Sequence, residues 1–432
     1  MNNKVTNTYF LILFSLIPVS IIVGSSISLI NIVLIDLSFL FLIIYKKEYK
    51  FLTNKTVKLI IILCLYLVFN SIISKDFLIG AQRNLGFIRF GILFLAFNYF
   101  FCDKKFFNKV LLVWSITLLI LTIDIYVESI FGRNILGYGE KYGSRIVSFF
   151  KDEPIAGGYL NGFYLIVIGY LFNLINKSSI KYKNIILIFS VILVFAILLT
   201  GERSNTIKAF LGFLIFYFFN DFFKIKHKIL SFLLLISLTG ILLTTSDYLK
   251  MRYGSEFLKS IATMLQYQEI QKLSDSPELI PLKLKKEKDF KRRHVYGYYK
   301  LYQSGFSVFK KYPIFGVGNK NYRIETCISH KNPNYFCNTH PHQVYFEFLA
   351  EHGLIGSLII VFILFYLIFS NLKIILVSKN YIQIGSFIFL LITFIPFLPS
   401  GAFFSDYSLT IFWINLSLLY SVGKKTNIYL SN

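Results

Sequence analysis

Long apolar runs separated by short polar segments make up most of the 432-residue chain. Each run approaches the roughly 20 apolar residues that a helix needs to cross a bilayer. Twelve such runs are present: Tyr9–Val23, Leu29–Tyr45, Val57–Ile73, Gly86–Phe101, Val110–Ile130, Ala156–Ile175, Ile185–Leu199, Ile207–Phe223, Ile229–Leu243, Leu354–Phe369, Ile382–Leu398 and Leu409–Val422. The first run resembles a signal peptide, but it lacks a convincing small-residue cleavage site, so we interpret it as a helix. The pattern predicts an all-α integral membrane protein with about 12 transmembrane helices.

The composition supports the membrane interpretation and excludes a soluble globular enzyme. Hydrophobic residues make up 55% of the chain and aromatic residues 18%. A formal net charge of +23 would suggest a nucleic-acid partner in a soluble protein. Here the lysines cluster between apolar runs, as orientation signals do, so we expect membrane lipids and no nucleic acid around the protein.

The lysine clusters also predict the topology. Short segments rich in lysine alternate with segments that are not, which favours an even number of spans with both termini in the cytoplasm. The lysine-rich segments are Lys46–Lys55, Asp103–Lys109, Lys177–Lys183, Lys224–Lys228, Asn371–Lys379 and the tail from Lys424. The other loops are then expected on the periplasmic side of a bacterial inner membrane.

One polar segment, residues 245–353, is too long to be a bare connector. It divides the chain into residues 1–244 with helices 1–9, a large periplasmic loop with a histidine motif, and residues 354–432 with helices 10–12 and a cytoplasmic tail. Amphipathic patterns near Glu256–Leu273 and Val295–Lys311 predict that the loop is partly helical.

The four cysteines fall into two pairs of different character. Cys64 and Cys102 lie inside apolar runs and are interpreted as inert. Cys327 and Cys337 lie ten residues apart in the large loop. If that loop is periplasmic, a disulfide between them is expected, and two free thiols are the alternative.

Arginine is distributed differently from lysine. The chain has 36 Lys and only nine Arg, and by this topology all nine lie on or near the outer side. They are Arg83, Arg89, Arg133, Arg145, Arg203, Arg252, Arg292, Arg293 and Arg323. A guanidinium binds phosphate or carboxylate with two parallel hydrogen bonds, whereas an ammonium acts as a point charge. The distribution indicates an anionic ligand at the outer membrane boundary; interfacial snorkelling and ordinary ion pairs are the alternative.

The segment from Asn338 to Gly356 contains the strongest candidate for chemistry. Pro341 suits the first turn of a helix, and Asn338 or Thr339 suits its cap, so a helix is predicted to run through His342 into the next span. A histidine at the water boundary of such a helix can act as a general base on a sugar hydroxyl. A solvated or capping histidine is the alternative.

Two glycines follow the histidine at helical spacing. On a continuous helix, Gly353 and Gly356 would lie close to the face of His342, where small residues let a neighbouring helix approach. Glu351 would lie on the opposite face, which makes it a poor partner for His342. The predicted role of both glycines is therefore helix packing.

Two acidic residues lie near the outer end of the fifth predicted helix. Asp124 and Glu128, one helical turn apart, are interpreted as a solvated helix end rather than as the lining of a cavity. No acidic cluster resembles a metal site, so we expect neither a metal nor another cofactor.

The histidine segment resembles the signature of the O-antigen ligase and polymerase superfamily. In that signature, a histidine is followed by Asn, Ser or Gln, then nine residues, Gly, two residues and Gly. The matching positions here are His342, Gln343, Gly353 and Gly356. His340 adds a second imidazole that competes for the same role.

Other segments resemble the family in the expected order. The stretch Tyr312-Pro-Ile-Phe-Gly-Val-Gly318 is similar to its Pro-x-x-Gly-x-Gly turn, and Thr200-Gly-Glu-Arg-Ser204 to its Thr/Ser-x-x-Arg-Ser element. Arg292 and Arg293 occupy the place of a loop arginine in the family, and Ser148–Gly157 is also similar.

The resemblance implies a glycan on undecaprenyl diphosphate as donor and, for a ligase, lipid A–core oligosaccharide as acceptor. Arg203 and one of Arg292 or Arg293 would stabilise the charge that grows on the diphosphate. His342 would orient or deprotonate the acceptor hydroxyl. The expected catalytic residues are His342, Arg203 and Arg293, and the expected substrate-binding residues are Arg292, Arg145, Arg89, His340 and Gln343.

Four functions remain open from the sequence. A ligase is favoured because the histidine signature ends a large loop between helices 9 and 10. A polymerase that extends the lipid-linked glycan and a protein O-oligosaccharyltransferase share the chemistry but differ in acceptor. A transporter of lipid-linked sugars would instead place charges along a path through the membrane.

Overall fold

The structure is a computed structural model and describes residues 3–139, 145–151, 153–175, 180–255, 297–328 and 332–430. Every regular element in these residues is helical. The helices are α1 (Asn3–Val23), α2 (Ser25–Lys46), α3 (Lys55–Ile72), α4 (Phe77–Phe100), α5 (Lys104–Phe131), α6 (Ala156–Leu174), α7 (Ile180–Leu199), α8 (Arg203–Phe219), α9 (Ile225–Thr245), α10 (Gly297–Lys311), α11 (Tyr322–Ile328), α12 (Val344–Phe369), α13 (Leu372–Ser378), α14 (Tyr381–Thr393) and α15 (Asp406–Ser421). Short helical turns also occur at Lys50–Thr53, Ser148–Phe150, Asp247–Leu249 and Lys250–Ser255.

Each of the twelve apolar runs overlaps one of these helices. Eight helical stretches are long and apolar enough to cross a membrane: Lys4–Val23, Ser25–Lys46, Lys55–Ile72, Phe77–Phe100, Lys104–Phe131, Tyr182–Leu199, Ile225–Thr245 and Val344–Ser378. The helices α8, α14 and α15 are shorter, with 17, 13 and 16 residues. The chain is therefore an all-helical, multi-pass membrane protein with eight candidate spans in its described part.

Helix α6 forms the centre of the bundle. It packs against α5, α7, α8, α14 and α15, and nearly all of its side chains are buried. The neighbouring α14 and α15 are buried to a similar extent. The loops that join these helices at one end of the bundle are consequently held on a rigid base. We call this the site end, because the candidate site described below is built from these loops.

The large loop contributes two described helices to the site end. The amphipathic helix expected near Val295–Lys311 is present as α10. The one expected near Glu256–Leu273 lies outside the described residues, as do Arg292 and Arg293. A disulfide joins Cys327, in α11, to Cys337, with 4.5 Å between their Cα atoms.

Glu325 ties the described part of the loop to the bundle. Its carboxylate accepts hydrogen bonds from Lys75, two residues before α4, from Lys311 (2.8 Å) and from the hydroxyl of Tyr335 (2.9 Å). Burial alone would raise the pKa of Glu325, but the bonds from Lys311 and Lys75 outweigh it and lower the pKa to about 2. The carboxyl is therefore an anion at neutral pH, and it fixes α11 against α10 and the start of α4.

The start of the histidine helix differs from the prediction. Helix α12 begins at Val344, with Gln343 as its N-cap, whose side chain accepts from the backbone N–H groups of Tyr345 and Phe346. His342 has φ 57° and precedes the helix. The predicted helix entry at Pro341 is therefore wrong, because the backbone before Gln343 turns away from the helical path.

Helix α12 is also broken at Gly353, which has φ 63° and ψ −166°. This region of the backbone map is essentially accessible to glycine alone. The face that His342, Gly353 and Gly356 were expected to share on one continuous helix consequently does not exist. Only Gly356 faces a neighbouring helix: a Cβ there would lie 1.8 Å from the Tyr66 hydroxyl of α3.

The turn from Pro313 to Gly318 fills the break. Its Val317 and Gly318 N–H groups donate to the carbonyls of Ala350 (3.0 Å) and Glu351 (2.9 Å). In return, the Leu354 and Ile355 N–H groups donate to the Pro313 and Ile314 carbonyls, at 2.8 and 3.1 Å. The turn therefore satisfies backbone groups that the break leaves without helical partners.

Candidate active site

A cavity of about 450 Å³ opens at the site end of the bundle. Its basic and acidic lining residues are Arg145, Glu202, Arg203, Lys208, Arg252 and His342. Residues 398–401 of the α14–α15 loop complete the wall. The structure thus brings together three residues that the sequence singled out, from segments far apart in the chain.

His342 is held in its left-handed conformation by the α14–α15 loop. The Ser400 N–H donates to the His342 carbonyl at 2.9 Å. The imidazole of His340 lies against that of His342, with 3.9 Å between ring centroids, and the Tyr298 ring lies 6.0 Å away on α10. His340 is fixed in turn by Thr339, whose hydroxyl lies 2.9 Å from its Nδ1.

Both imidazoles are poised in the neutral form. Burial lowers the pKa of His342, and a contact with the backbone of Ser400 offsets this only in part. Burial and the neighbouring His342 lower the pKa of His340 to about 4. A neutral imidazole at the cavity wall can accept a proton from a hydroxyl, which a charged one cannot.

Arg203 is the first residue of α8, directly after the turn that ends α7. The preceding residue, Glu202, accepts hydrogen bonds from the N–H groups of Gly157 (2.7 Å) and Gly158 (3.1 Å), at the start of α6. It also accepts one from the Asn205 side chain at 2.6 Å. Glu202 therefore locks the ends of two helices together and fixes the turn from which Arg203 projects.

Burial raises the pKa of Glu202 to about 7, although hydrogen bonds and the charge of Arg145 oppose the shift. The cavity therefore contains a carboxyl that titrates near neutral pH beside its arginines. A neutral Glu202 leaves the positive charge of the cavity uncompensated, and an ionised one reduces it.

Arg145 reaches the cavity because two buried carboxylates hold the loop that carries it. Glu128 accepts from the N–H groups of Val147 (3.0 Å) and Ser148 (2.6 Å). Asp124 accepts from the Ile135 N–H at 2.9 Å. The exposed fractions of Asp124 and Glu128 are 0% and 4%, so their interpretation as a solvated helix end is wrong.

The remaining candidates lie elsewhere. Arg89 binds Asp406, which also accepts from Arg83 at 2.8 Å, and Arg89 lines a separate cavity of about 280 Å³. The Gln343 side chain is 2% exposed and serves as a helix cap. Gly353 is the position of the helix break, and it packs against the Pro313–Gly318 turn rather than against a neighbouring helix.

Three cavity residues were not among the expected site residues: Glu202, Lys208 and Arg252, although Arg252 belongs to the nine outer arginines. Arg252 donates from Nε to the Gly201 carbonyl at 3.0 Å, which places it beside the Arg203 turn. Lys208 lies five positions after Arg203 on α8, a spacing that does not by itself place two side chains on one helix face, so the sequence provided no such signal for Lys208. Glu202 is the only acidic residue in the described lining, so the cavity is strongly cationic.

The fold and the site together define a multi-pass membrane protein with a cationic cavity and a neutral histidine at one end of its bundle. Residues 188–361 match a family model described as O-antigen ligase. The matched segment begins in α7 and ends in α12, and it includes Arg203, Lys208 and His342. This match confirms the resemblance to the O-antigen ligase superfamily, and it implies a glycosyltransferase-like enzyme of O-antigen or related glycan assembly. A search of curated proteins gave no match to the chain.

Proposed function

We propose that the protein transfers a glycan from undecaprenyl diphosphate to lipid A–core oligosaccharide, at the periplasmic face of the bacterial inner membrane. The observation that carries the proposal is the meeting of His342 with Arg203 and Arg145 in one cavity. A base for a sugar hydroxyl and cations for a diphosphate are the two requirements of this reaction. The alternation of lysine-rich segments supports the orientation.

In the proposed step, the donor diphosphate lies among the guanidinium groups of Arg203 and Arg145. The acceptor hydroxyl gives its proton to His342, and its oxygen forms a bond to the anomeric carbon of the donor glycan. The bond from that carbon to the phosphate oxygen breaks, and its electron pair stays on the diphosphate. Guanidinium groups stabilise this growing charge, so the proposed step needs no metal ion. Arg293, or Arg292 next to it, is proposed to contribute a further cation.

Several features of the cavity suit this chemistry. Burial keeps His342 neutral, so the imidazole is available as a base at neutral pH. The bonds of Glu202 to the start of α6 fix the backbone turn that carries Arg203, so the position from which its side chain projects is set before the donor binds. The cations come from the α5–α6 and α7–α8 segments, while His342 comes from the start of α12, so donor and base approach from different walls.

The test mixes purified protein with undecaprenyl-diphosphate-linked glycan and lipid A–core and follows the glycan by gel. Glycan that moves onto lipid A–core supports a ligase, and His342→Ala is then expected to insert normally and lose transfer. Glycan that only lengthens on its own lipid would show a polymerase and refute the acceptor. An intact glycan–diphosphate bond with a demonstrably folded preparation would refute transfer altogether and favour transport.

A further inference from the structure

Lys208 is a cation of the cavity that neither the sequence motifs nor the proposed step uses. It lies in the second turn of α8 and lines the cavity together with Arg203. Five residues at 1.5 Å each place its Cα roughly 7.5 Å further along the helix than Arg203, towards the interior of the bundle. It also lines an inner cavity of about 300 Å³, so it stands on the floor between the two.

Nothing in the described part of the chain neutralises this cation. Lys208 makes no ion pair or side-chain hydrogen bond there, whereas the one acidic lining residue, Glu202, is engaged by Gly157, Gly158 and Asn205. A partly buried ammonium without a partner is costly, and such groups mark ligand sites in membrane proteins. The missing partner is therefore expected to be an anion that enters the cavity.

The face of α8 beside Lys208 shows where the lipid part of such an anion would leave. Ile207 lines the cavity and is 45% exposed on the outside of the bundle. Leu211 and Phe218 follow it on the same helical face and are 39% and 42% exposed. An apolar chain that leaves the cavity along this face passes Lys208 after Arg203. The phosphate next to the lipid is then the one that reaches Lys208.

We propose that Lys208 is a further substrate-binding residue, whose ammonium binds the lipid-side phosphate of a polyprenyl diphosphate, while Arg203 binds the glycan-side phosphate. The inference rests on the proposed function and adds the order of the two phosphates along α8. The division of roles follows the chemistry, because the glycan-side phosphate takes up the charge of bond cleavage. A planar guanidinium can stabilise that growing charge with two hydrogen bonds. The lipid-side phosphate gains no charge in the step, so a single ammonium is enough to bind it.

The test measures binding of undecaprenyl monophosphate, undecaprenyl diphosphate and inorganic pyrophosphate to purified protein. The monophosphate carries only the lipid-side phosphate, so it separates the two roles. Lys208→Met removes the charge and keeps most of the side-chain length. It is expected to lower the affinity for both lipids by roughly tenfold or more, as loss of a charge-assisted hydrogen bond does. Arg203→Ala is expected to lower the affinity for undecaprenyl diphosphate and to leave the affinity for undecaprenyl monophosphate nearly unchanged.

Controls separate this inference from the function on which it rests. Lys226→Met, at an exposed position of α9, is expected to bind all three ligands as the wild type does. Lys208→Arg is expected to retain most affinity, which excludes a folding defect at this position. If wild-type protein binds and transfers but Lys208→Met binds both lipids normally, Lys208 is not a phosphate ligand and the function stands. If wild-type protein binds neither lipid, the proposed function and this inference fail together, and tight binding of pyrophosphate alone would identify a free-anion site.

Discussion

The helix break at Gly353 allows a quantitative test of how the site end is built. A methyl group at this position would lie 2.4 Å from the carbonyl carbon and oxygen of Ile314, which are backbone atoms and cannot rotate away. Its φ of 63° and ψ of −166° lie in a region that is favourable only for glycine. Any other residue there carries about 1–3 kcal/mol of backbone strain. Overpacking against the Pro313–Gly318 turn adds about 1–3 kcal/mol. We therefore expect Gly353→Ala to reduce the free energy of unfolding by roughly 2–6 kcal/mol.

The assay is thermal unfolding of purified protein in detergent, followed by intrinsic fluorescence. Because the entropy of unfolding grows with chain length, a loss of that size in a chain of 432 residues should lower the midpoint by roughly 2–7 °C. Gly240→Ala is the matched control, because it lies inside α9 and a methyl group there would have nothing within 4 Å. Alanine is the better helix former, so this variant should be as stable as wild type or up to about 1 kcal/mol more stable.

A double variant tests whether the turn and the break form one interface. A methyl group at Gly316 would lie 2.3 Å from the backbone carbon of Glu351, on the other side of the same contact. If either substitution alone separates the turn from α12, the second has little left to disrupt, so the two losses should add to less than their sum. Additive losses, or a Gly353→Ala variant as stable as Gly240→Ala, would refute the docking of the turn into the break.

Three further predictions concern charge. Arg203→Lys should lose most transfer in the gel assay, because an ammonium does not reproduce the two-bond contact of a guanidinium; a fully active variant would reduce Arg203 to a simple charge. Donor affinity should fall as the pH rises through about 7, where Glu202 ionises beside the arginines, and Glu202→Gln should remove that step; a step that persists in the variant belongs to another group. Glu325→Gln should melt at a lower temperature than wild type at pH 7, and the difference should shrink as the pH falls from about 4.5 towards 2. The reason is that a depressed carboxyl pKa stabilises the fold above the unfolded value of 4.5 and loses that effect on protonation; a constant difference would contradict the ion pairs with Lys75 and Lys311.

Helix positions were predictable because each apolar run carries its own signal. The run Ala156–Ile175, for example, became α6 at Ala156–Leu174. The start of α12 was not predictable in the same way. Local rules favoured a helix from Pro341, but a hydrogen bond from Ser400, which lies in a distant loop, holds His342 outside the helix. The break at Gly353 likewise depends on a turn that only the folded chain brings into contact.

The site was predictable as far as residue chemistry could take it. The contrast between arginine and lysine selected Arg145 and Arg203, which do line the cavity. The same contrast passed over Lys208, because it treated every lysine as an orientation signal. It also selected Arg89, whose charge is used by Asp406. Whether a cation faces a ligand or a carboxylate depends on which groups lie close together in the folded chain. Counts of residue types carry no information about that proximity.

The carboxylates explain how a cavity at this end of the bundle becomes cationic. Glu128 binds the backbone that follows Arg145, Glu202 binds the start of α6, and Glu347 binds the Phe403 and Phe404 N–H groups at 2.9 and 3.3 Å. Each carboxylate is thereby committed to backbone donors of a segment that helps to build the cavity. The cations on the same segments keep few acidic partners and face the opening. Fixing the loops and leaving positive charge for an anionic substrate are therefore two results of the same set of hydrogen bonds.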